Sequence, residues 1–258
     1  MAVLQNSSAI KLAAIFITIT LLSLLNLNPA IHNTIINIDT LVALKLNSII
    51  GINPIFDQAV AWINTRIGDA CVLLCICTVF VIHALRANNI NETTRHLSFW
   101  AWIGILCIVT YLIECASEFF IKRDTPILAL HQLKNLQAMY GITLHTCPTS
   151  SFPSGHGFAY IFFAVMAWAR YFRISIFLWC TALIMLTFRL VVGLHWLSDI
   201  IFGSVFMTVL LIACINYTPL KKTYVYVEYM ISYAIKLLLS WQEKITDHQI
   251  PQHKHRIG

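Results

Sequence analysis

Charged side chains are scarce in this chain of 258 residues. Only 11% of the residues are Asp, Glu, Lys or Arg, whereas 59% are hydrophobic. A soluble domain carries about 25% charged residues, so a soluble fold of this composition would leave much apolar surface facing water. A bilayer removes that problem, because lipid solvates the apolar surface. The scarcity of charge therefore argues against an ordinary soluble protein and predicts a membrane-embedded one.

Two further kinds of pattern are missing from the sequence. The formal net charge is +6, but no basic stripe interleaved with aromatic residues and no nucleic-acid motif is present, so we expect no binding to nucleic acid. No internal repeat occurs either. In a membrane protein the basic residues report first on topology and on contact with anionic lipid.

The eight cysteines lack the spacing of a metal site. Cys71, Cys75 and Cys77 lie close together but fit no standard zinc pattern. Most of the cysteines fall in apolar runs, where cysteine behaves as a small hydrophobic residue. Cys147 lies in a long polar loop, and a disulfide from it to Cys115 or Cys71 stays open. We predict neither a metal nor a cofactor.

Apolar segments make up most of the chain. Six of them approach the roughly 20 residues that cross a bilayer as a helix. No small-residue cleavage site follows the first segment, so we expect an uncleaved anchor there rather than a signal peptide. The six predicted spans cover residues 10–28, 69–86, 97–117, 156–169, 174–192 and 196–216.

Two other apolar stretches are interrupted by polar residues, which predicts amphipathic helices at the membrane interfaces. Residues 34–66 are assigned to the outer interface. Residues 223–242 are assigned to the cytoplasmic interface, with a seventh span as the alternative. The predicted fold class is all-α, an integral membrane bundle of six transmembrane helices with interfacial amphipathic helices. It forms one domain over residues 1–246, followed by a polar cytoplasmic tail over residues 247–258.

Basic residues indicate the orientation of this bundle. With both ends of the chain inside, eleven of the 17 Lys and Arg residues fall on the cytoplasmic side and six on the outer side. Such an excess inside is typical of membrane proteins. Three of the outer six, Lys122, Arg123 and Arg189, belong to polar motifs that have a chemical explanation of their own.

The most informative motif lies between the fifth and sixth predicted spans. His195 and Asp199 are four residues apart, so on a helix they share a face. A carboxylate so placed accepts one ring N–H and leaves the other ring nitrogen free to attack. Arg189 is too costly to face lipid and suits a phosphate group. We predict His195 as the nucleophile, Asp199 as its orienting residue and Arg189 as a phosphate ligand.

Two more polar motifs fall on the same predicted outer face. A turn with Pro and Gly leads into an apolar helix, where Ser154, Gly155 and backbone N–H groups can bind phosphate. Protonated His156 next to this turn can deliver a proton to a leaving oxygen. Lys122 and Arg123 add positive charge for a phosphate or pyrophosphate. The set predicts phosphoryl transfer through a phosphohistidine, without a metal.

Each motif alone has an ordinary explanation. A Lys-Arg pair often flanks a span, a Pro-Ser-Gly-His run can be a plain loop, and a His/Asp pair can be structural. The ordered combination within residues 118–200 is far more specific than its parts. His145 lies in the same outer loop, where we expect a solvent-exposed side chain, and contact with a substrate stays open.

The ordered motifs resemble those of the type 2 phosphatidic acid phosphatase superfamily over roughly residues 95–216. The resemblance implies a helical bundle with its site at the outer interface and the residue roles given above. The superfamily's first motif usually spaces its Lys and its Arg-Pro widely, whereas residues 121–126 place two cations side by side. That form is similar to the one in bacterial lipid A 1-diphosphate synthases, as are residues 38–39, 62–69, 193–201 and 218–220.

The subgroup resemblance implies a phosphotransferase of the bacterial inner membrane whose site faces the periplasm. Its substrates would be undecaprenyl pyrophosphate and the 1-phosphate of lipid A, and its partners would be these lipids and the bilayer, with no protein partner indicated. A phosphatase acting on undecaprenyl pyrophosphate, lipid A phosphate or phosphatidylglycerol phosphate stays open, because hydrolysis and transfer share the phosphohistidine. The intact His156, His195 and Asp199 oppose a non-catalytic lipid-binding or transport protein. A haloperoxidase is disfavoured because those enzymes are not usually embedded in lipid.

Overall fold

The computed structural model of the protein describes residues 28–117, 122–145 and 149–249. Within these ranges the chain is helical and forms no strand, which confirms the all-α prediction, and one isolated bridge pairs Arg123 with Ser150. The α-helices are α1 Pro29–Asn47, α2 Pro54–Ile63, α3 Arg66–Leu85, α4 Ile90–Ser117, α5 Pro126–Ala129, α6 Leu136–Tyr140, α7 Gly155–Trp168, α8 Phe172–Val192, α9 Val205–Tyr217 and α10 Thr223–Gln249. A π-helical turn, Asp199–Ser204, leads directly into α9, and a 3-10 turn, Pro219–Lys222, precedes α10.

Short polar signals in the sequence start several of these helices. Asn28 and Asn53 each cap a helix whose first residue is proline, and each side chain accepts hydrogen bonds from two backbone N–H groups of the first turn. Such a cap binds N–H groups that lack a partner in the helix, and proline there sacrifices no hydrogen bond. Asn135 caps α6 by accepting two such hydrogen bonds, and Ser154 caps α7 by accepting one, from the backbone N–H of Gly157.

Four helical segments are long and apolar enough to cross a membrane, among the residues that the structure describes. They are Arg66–Leu85, Ile90–Leu112, Phe172–Val192 and Asp199–Tyr217, and they match four of the six predicted spans. The predicted span at 156–169 corresponds to α7, which has 14 residues and is shorter than the other four. The predicted span at 10–28 lies outside the described residues, apart from Asn28. The bundle is therefore a multi-pass one, with four full-length apolar helices observed.

The two predicted interfacial stretches are also helical. Residues 34–66 fall on α1, α2 and the start of α3, with a turn between α1 and α2. Residues 223–242 lie within the single 27-residue helix α10. Helix α10 continues to Gln249, so the first residues of the predicted tail are helical, and the rest of that tail lies outside the described residues.

Two apolar clusters hold the bundle together. The larger one surrounds α7, whose Phe158 and Phe162 are buried against α4 and α8. It includes a parallel stack of Phe80 and Trp100 with ring centroids 3.8 Å apart. The smaller cluster joins α2, α6 and the end of α8 at one end of the bundle. The polar motifs lie on the first turn of α7, the last turn of α8 and the start of the π-helical turn.

Candidate active site

His195 lies in the short segment between α8 and the π-helical turn, and Gly193 fixes where that segment starts. Gly193 ends α8 with φ of +78°, a conformation that other residues disfavour. The Nδ1 atom of His195 lies 2.8 Å from the backbone carbonyl oxygen of Ser151. Because a carbonyl oxygen only accepts, Nδ1 carries the proton and Nε2 keeps its lone pair.

The surroundings of His195 favour the neutral imidazole. Burial lowers the pKa of His195 to about 3, and the positive charge of Arg189 acts in the same direction. The hydrogen bond to the Ser151 carbonyl opposes this shift, and the charge of His156 adds to it. His195 is therefore neutral at neutral pH, which is the form that attacks an electrophile.

Asp199 starts the π-helical turn one helical turn after His195. Its Oδ2 atom lies 4.0 Å from Nδ1 of His195 and accepts a hydrogen bond of 2.7 Å from the backbone N–H of Trp196. The residue is fully buried. The structure thus places the two residues next to each other, with the Ser151 carbonyl closer to Nδ1 than the carboxylate is. The orienting role of Asp199 stays a prediction.

Arg123 lies between two buried carboxylates. Its Nη2 atom donates to Oδ2 of Asp39 at 2.7 Å, and its Nη1 atom donates to Asp199 Oδ1 and, at 2.8 Å, to the Ser198 hydroxyl. Asp39, on α1, also accepts a 2.9 Å hydrogen bond from the backbone N–H of Ser198. Both terminal nitrogens of Arg123 are thus occupied by protein groups. The guanidinium ties α1 to the start of the π-helical turn.

A second polar cluster surrounds Asp69, in the first turn of α3. Its Oδ1 atom accepts a 2.5 Å hydrogen bond from Nη2 of Arg189. Its Oδ2 atom lies 3.2 Å from Nε2 of His156 and 2.6 Å from Nδ1 of His145. Arg189 is only 1% exposed, and a buried guanidinium without an anion would be costly. Asp69 therefore holds Arg189, the predicted phosphate ligand, next to His156, the predicted general acid.

The turn before α7 is closed by its own polar groups. The Ser154 hydroxyl accepts a 3.3 Å hydrogen bond from the backbone N–H of Gly157, and the Ser154 carbonyl accepts one of 2.9 Å from Ser204. Ser154 is fully buried and acts as the helix cap. Gly155 is the first residue of α7 and is half-buried. The predicted phosphate roles of Ser154 and Gly155 stay predictions.

Lys122 stands apart from both clusters. It is exposed, and no hydrogen bond or ion pair joins it to another residue in the described part of the chain. The structure thus brings together His195, Asp199 and Arg123 in one group and His156 and Arg189 in another. Next to Arg123, Lys122 remains a cation without a partner among the described residues.

Several residues of these clusters were missed by the sequence reasoning. Asp39 and Asp69 received no role, although each is an acid in an apolar stretch, and a buried carboxylate needs a partner. His145 was expected to face solvent, whereas it is half-buried and contacts Asp69. The carbonyl of Ser151 carried no signal, because any residue supplies a backbone acceptor.

Asp69, His145 and His156 also form a group whose ligand atoms all lie within 4.8 Å of one another. Two histidines and one carboxylate are a donor set that zinc accepts. The ion pair of Arg189 with the same carboxylate opposes a second cation at that point. The two histidines have a partner in Asp69, so the cluster is explained without an ion.

Comparison with known proteins connects this geometry to a family. A family model described as the PAP2 superfamily matches residues 98–222. The protein named lipid A 1-diphosphate synthase of Escherichia coli (strain K12) is 25% identical over 199 residues, covering 75% of this chain and 81% of that protein. No solved structure matches the chain significantly.

Proposed function

Because residues 98–222 place this chain in the PAP2 superfamily, a family of phosphatases and phosphotransferases, we propose that the enzyme transfers a phosphoryl group from undecaprenyl pyrophosphate to the 1-phosphate of lipid A. The superfamily resemblance predicted from the motifs is confirmed. The two substrates rest on the similarity to the Escherichia coli protein and on the motif form at residues 121–126.

The observation that carries the proposal is the hydrogen bond from Nδ1 of His195 to the Ser151 carbonyl, 2.8 Å long. It leaves the lone pair of Nε2 free on a neutral ring. In the first step this lone pair attacks the terminal phosphorus of the donor, so an N–P bond forms and the P–O bond to undecaprenyl phosphate breaks. In the second step an oxygen of the acceptor attacks the same phosphorus, the N–P bond breaks and Nε2 regains its lone pair.

Arg189 is the best-placed ligand for the transferred phosphoryl group. Its guanidinium is buried, and its Nε atom has no hydrogen-bond acceptor within the described residues. A buried donor without a partner requires an explanation. A phosphate oxygen matches the planar guanidinium fork and would supply the missing acceptor. The fixed positive charge would then stabilise the negative charge of the transition state.

His156 is the proposed general acid. Its Nε2 atom lies 3.2 Å from the Asp69 carboxylate, which orients the ring. The proton passes from Nε2 to the bridging oxygen that leaves with undecaprenyl phosphate. In this scheme Asp69 is a positioning residue, since it holds His156 and Arg189 without touching the substrate.

Arg123 and Asp199 act on the nucleophile, and Lys122 acts on the substrate. Arg123 is held by protein carboxylates, so we assign it the positioning of Asp199 beside His195. Its sequence-based assignment as a phosphate ligand stays a prediction. Lys122 is exposed and has no protein partner among the described residues, so it is free to meet an outer phosphate of either lipid.

The site is proposed to face the periplasm of a bacterial inner membrane. The excess of basic residues on the opposite side supports this orientation. The donor and acceptor are lipids, which reach such a site by diffusing within the bilayer.

Hydrolysis is the second candidate function. Water can take the place of the lipid acceptor in the second step, because the first step is the same for both reactions. The enzyme would then be a lipid phosphatase acting on undecaprenyl pyrophosphate, lipid A phosphate or phosphatidylglycerol phosphate.

Labelled substrate separates these functions. Purified enzyme is given undecaprenyl pyrophosphate labelled at the terminal phosphorus, with and without lipid A. Label on lipid A supports transfer, label in free phosphate alone supports hydrolysis, and unchanged donor in both arms contradicts the proposal. His195→Ala should lower turnover by about a thousandfold or more, as loss of a nucleophile does. His131→Ala is the matched control, because His131 is an exposed histidine of the same outer loop.

A further inference from the structure

A long apolar groove runs between α3, α4 and α7. Its volume is about 620 Å³. Side chains such as Ile76, Phe80, Trp100 and Phe163 line it, and His156 lines it as well. Because His156 lies in the first turn of α7, it stands at the outer end of the groove, beside the Asp69 cluster. The groove therefore begins at the proposed general acid and leads into the apolar body of the bundle.

The dimensions of the groove suit a single hydrocarbon chain. Its lining on α4 extends from Tyr111 to Leu97, which is about 21 Å along a helix that rises 1.5 Å per residue. A methylene group takes up roughly the volume of a water molecule, about 30 Å³, so the groove holds about 20 carbon atoms. That is about four isoprene units, and it is too little for the several acyl chains of lipid A.

The groove is open on the side that faces the bilayer. Among its lining residues, Leu73, Ile105, Ile108 and Tyr111 are 57%, 48%, 62% and 47% exposed. Exposed apolar side chains on membrane-spanning helices contact lipid. A chain can therefore enter sideways from the membrane while its polar head stays at the outer end.

We propose that this groove binds the first isoprene units of the polyprenyl chain of the phosphoryl donor. The inference rests on the proposed function. His156 gives its proton to the oxygen that leaves with the polyprenyl phosphate, so the chain attached to that phosphate has to start next to His156. In the second step the acceptor attacks from this same side, because attacking and leaving groups lie in line, but the groove is too small for the several acyl chains of lipid A.

Gly104 allows the groove to be filled without disturbing the fold. It lines the groove on α4, and a Cβ atom added there meets no atom within 4 Å. Replacing a glycine inside a helix also favours the helix. Gly104→Phe should raise KM for undecaprenyl pyrophosphate by about tenfold or more, as expected when two or more methylene groups lose their apolar contacts.

Two comparisons make this test specific. Val109→Phe adds the same ring to α4 at an exposed position that does not line the groove, and it should leave KM unchanged. Dimethylallyl pyrophosphate has one isoprene unit and cannot reach Gly104, which is about 10 Å from Tyr111 along α4. The Gly104→Phe enzyme should therefore release phosphate from it at the wild-type rate.

The outcomes keep this inference apart from the proposed function. A wild-type KM of Gly104→Phe for undecaprenyl pyrophosphate would overturn the groove assignment and leave the function intact. A wild-type enzyme that hydrolyses dimethylallyl pyrophosphate but never undecaprenyl pyrophosphate would refute the proposed donor. A rise in KM for lipid A alone would assign the groove to the acceptor and overturn the inference.

Photo-crosslinking identifies the occupant directly. With p-benzoyl-phenylalanine in place of Ile105, which lines the groove, ultraviolet light should attach labelled undecaprenyl pyrophosphate to α4. The same probe in place of Val109 should attach markedly less. A crosslink instead to bulk phospholipid, to lipid A or to the apolar residues 10–28 of this chain would contradict the proposal.

Discussion

The chemistry of His195 depends on which group accepts the hydrogen bond from its Nδ1–H. The carbonyl of Ser151 fixes the tautomer but carries no full charge, so it does little to stabilise an imidazolium. The carboxylate of Asp199, 4.0 Å away, is close enough to balance the positive charge that develops on the ring once phosphorus is bound. In the proposed mechanism this division keeps His195 neutral before attack and compensates its charge afterwards.

The protonation of His195 is directly measurable. Because burial lowers its pKa to about 3, the ring should stay in the neutral Nδ1–H tautomer from pH 5 to pH 8. Nitrogen chemical shifts of ¹⁵N-histidine-labelled enzyme in detergent report this state, and the spectrum of His195→Gln identifies the signal. A protonation midpoint near pH 6.5 would contradict the assignment.

The same lowered pKa has a consequence for stability. An unfolded histidine takes up a proton below about pH 6.5, whereas folded His195 does so only near pH 3. Between these values the unfolded chain binds more protons, so the contribution of His195 to the free energy of unfolding falls as pH falls. Above about pH 6.5 this contribution is constant.

Asp69 carries a large share of the local stability. Asp69→Ala would leave the guanidinium of Arg189 buried and unpaired and would release His145 and His156. Loss of one partner of a buried pair costs about 3–5 kcal/mol, so thermal unfolding in detergent should shift markedly downward. Asp124→Ala is the matched control, because Asp124 is exposed and should unfold like the wild type. An unchanged melting temperature for Asp69→Ala would refute the role of the ion pair.

At the scale of helices, the site depends on the close approach of α7 to the π-helical turn. A Cβ atom at Gly157 would lie 2.3 Å from the Ser204 hydroxyl oxygen, and one at Gly203 would lie 2.8 Å from Cβ of Pro153. Both glycines therefore let the two segments touch. This contact sets the distance between His156 on one segment and Asp199 on the other.

A pair of glycine substitutions tests this contact. Gly157→Ala should destabilise the protein by about 1–3 kcal/mol, the usual cost of overpacking, and should lower activity. Gly104→Ala is the matched control, because its Cβ meets nothing within 4 Å and alanine favours a helix by about 1 kcal/mol over glycine. Thermal unfolding should shift downward only in the first variant, and equal melting temperatures of the two would refute the packing argument.

The amphipathic helix α1 is also part of the site. Asp39 binds Arg123 and Ser198, and Asn47 at the end of α1 donates a 3.0 Å hydrogen bond to the carbonyl of Val191. An interfacial helix usually binds lipid through its apolar face. Here its buried polar residues also fix the segment that carries His195, so α1 contributes to the candidate site.

At the scale of the whole molecule, polar residues collect at the two ends of the bundle. The Asp69 and Arg123 clusters lie at one end. At the other end the guanidinium of Arg170 packs over the rings of Phe99 and Tyr171. The apolar middle between these ends matches the hydrocarbon layer of a bilayer.

Cysteine labelling tests the proposed orientation. Ala138→Cys, on α6 near the site, should react with a membrane-impermeant maleimide added to intact spheroplasts. Asn88→Cys, between α3 and α4, should react only after the membrane is opened. Both positions are exposed. Background labelling is measured on the wild-type chain, and the reverse pattern would place the site in the cytoplasm.

The sequence by itself determined the class of protein, most of the helices and several of the residues that meet in the candidate site. These follow from local properties: apolar runs long enough to span a bilayer, caps such as Asn53 and Ser154, and motifs whose residues are close in the chain. The predicted span at 156–169 and the helix Gly155–Trp168 differ by only one residue at each end.

Only the tertiary structure decided which partner each charged group has. Arg189 pairs with Asp69, 120 residues away, and Arg123 pairs with Asp39, 84 residues away. A buried guanidinium demands an anion, but its own sequence neighbourhood does not say which carboxylate will be near. Packing also made a backbone carbonyl the hydrogen-bond acceptor for Nδ1–H of His195. Every residue carries such an acceptor, so no spacing of side chains could have predicted this hydrogen bond.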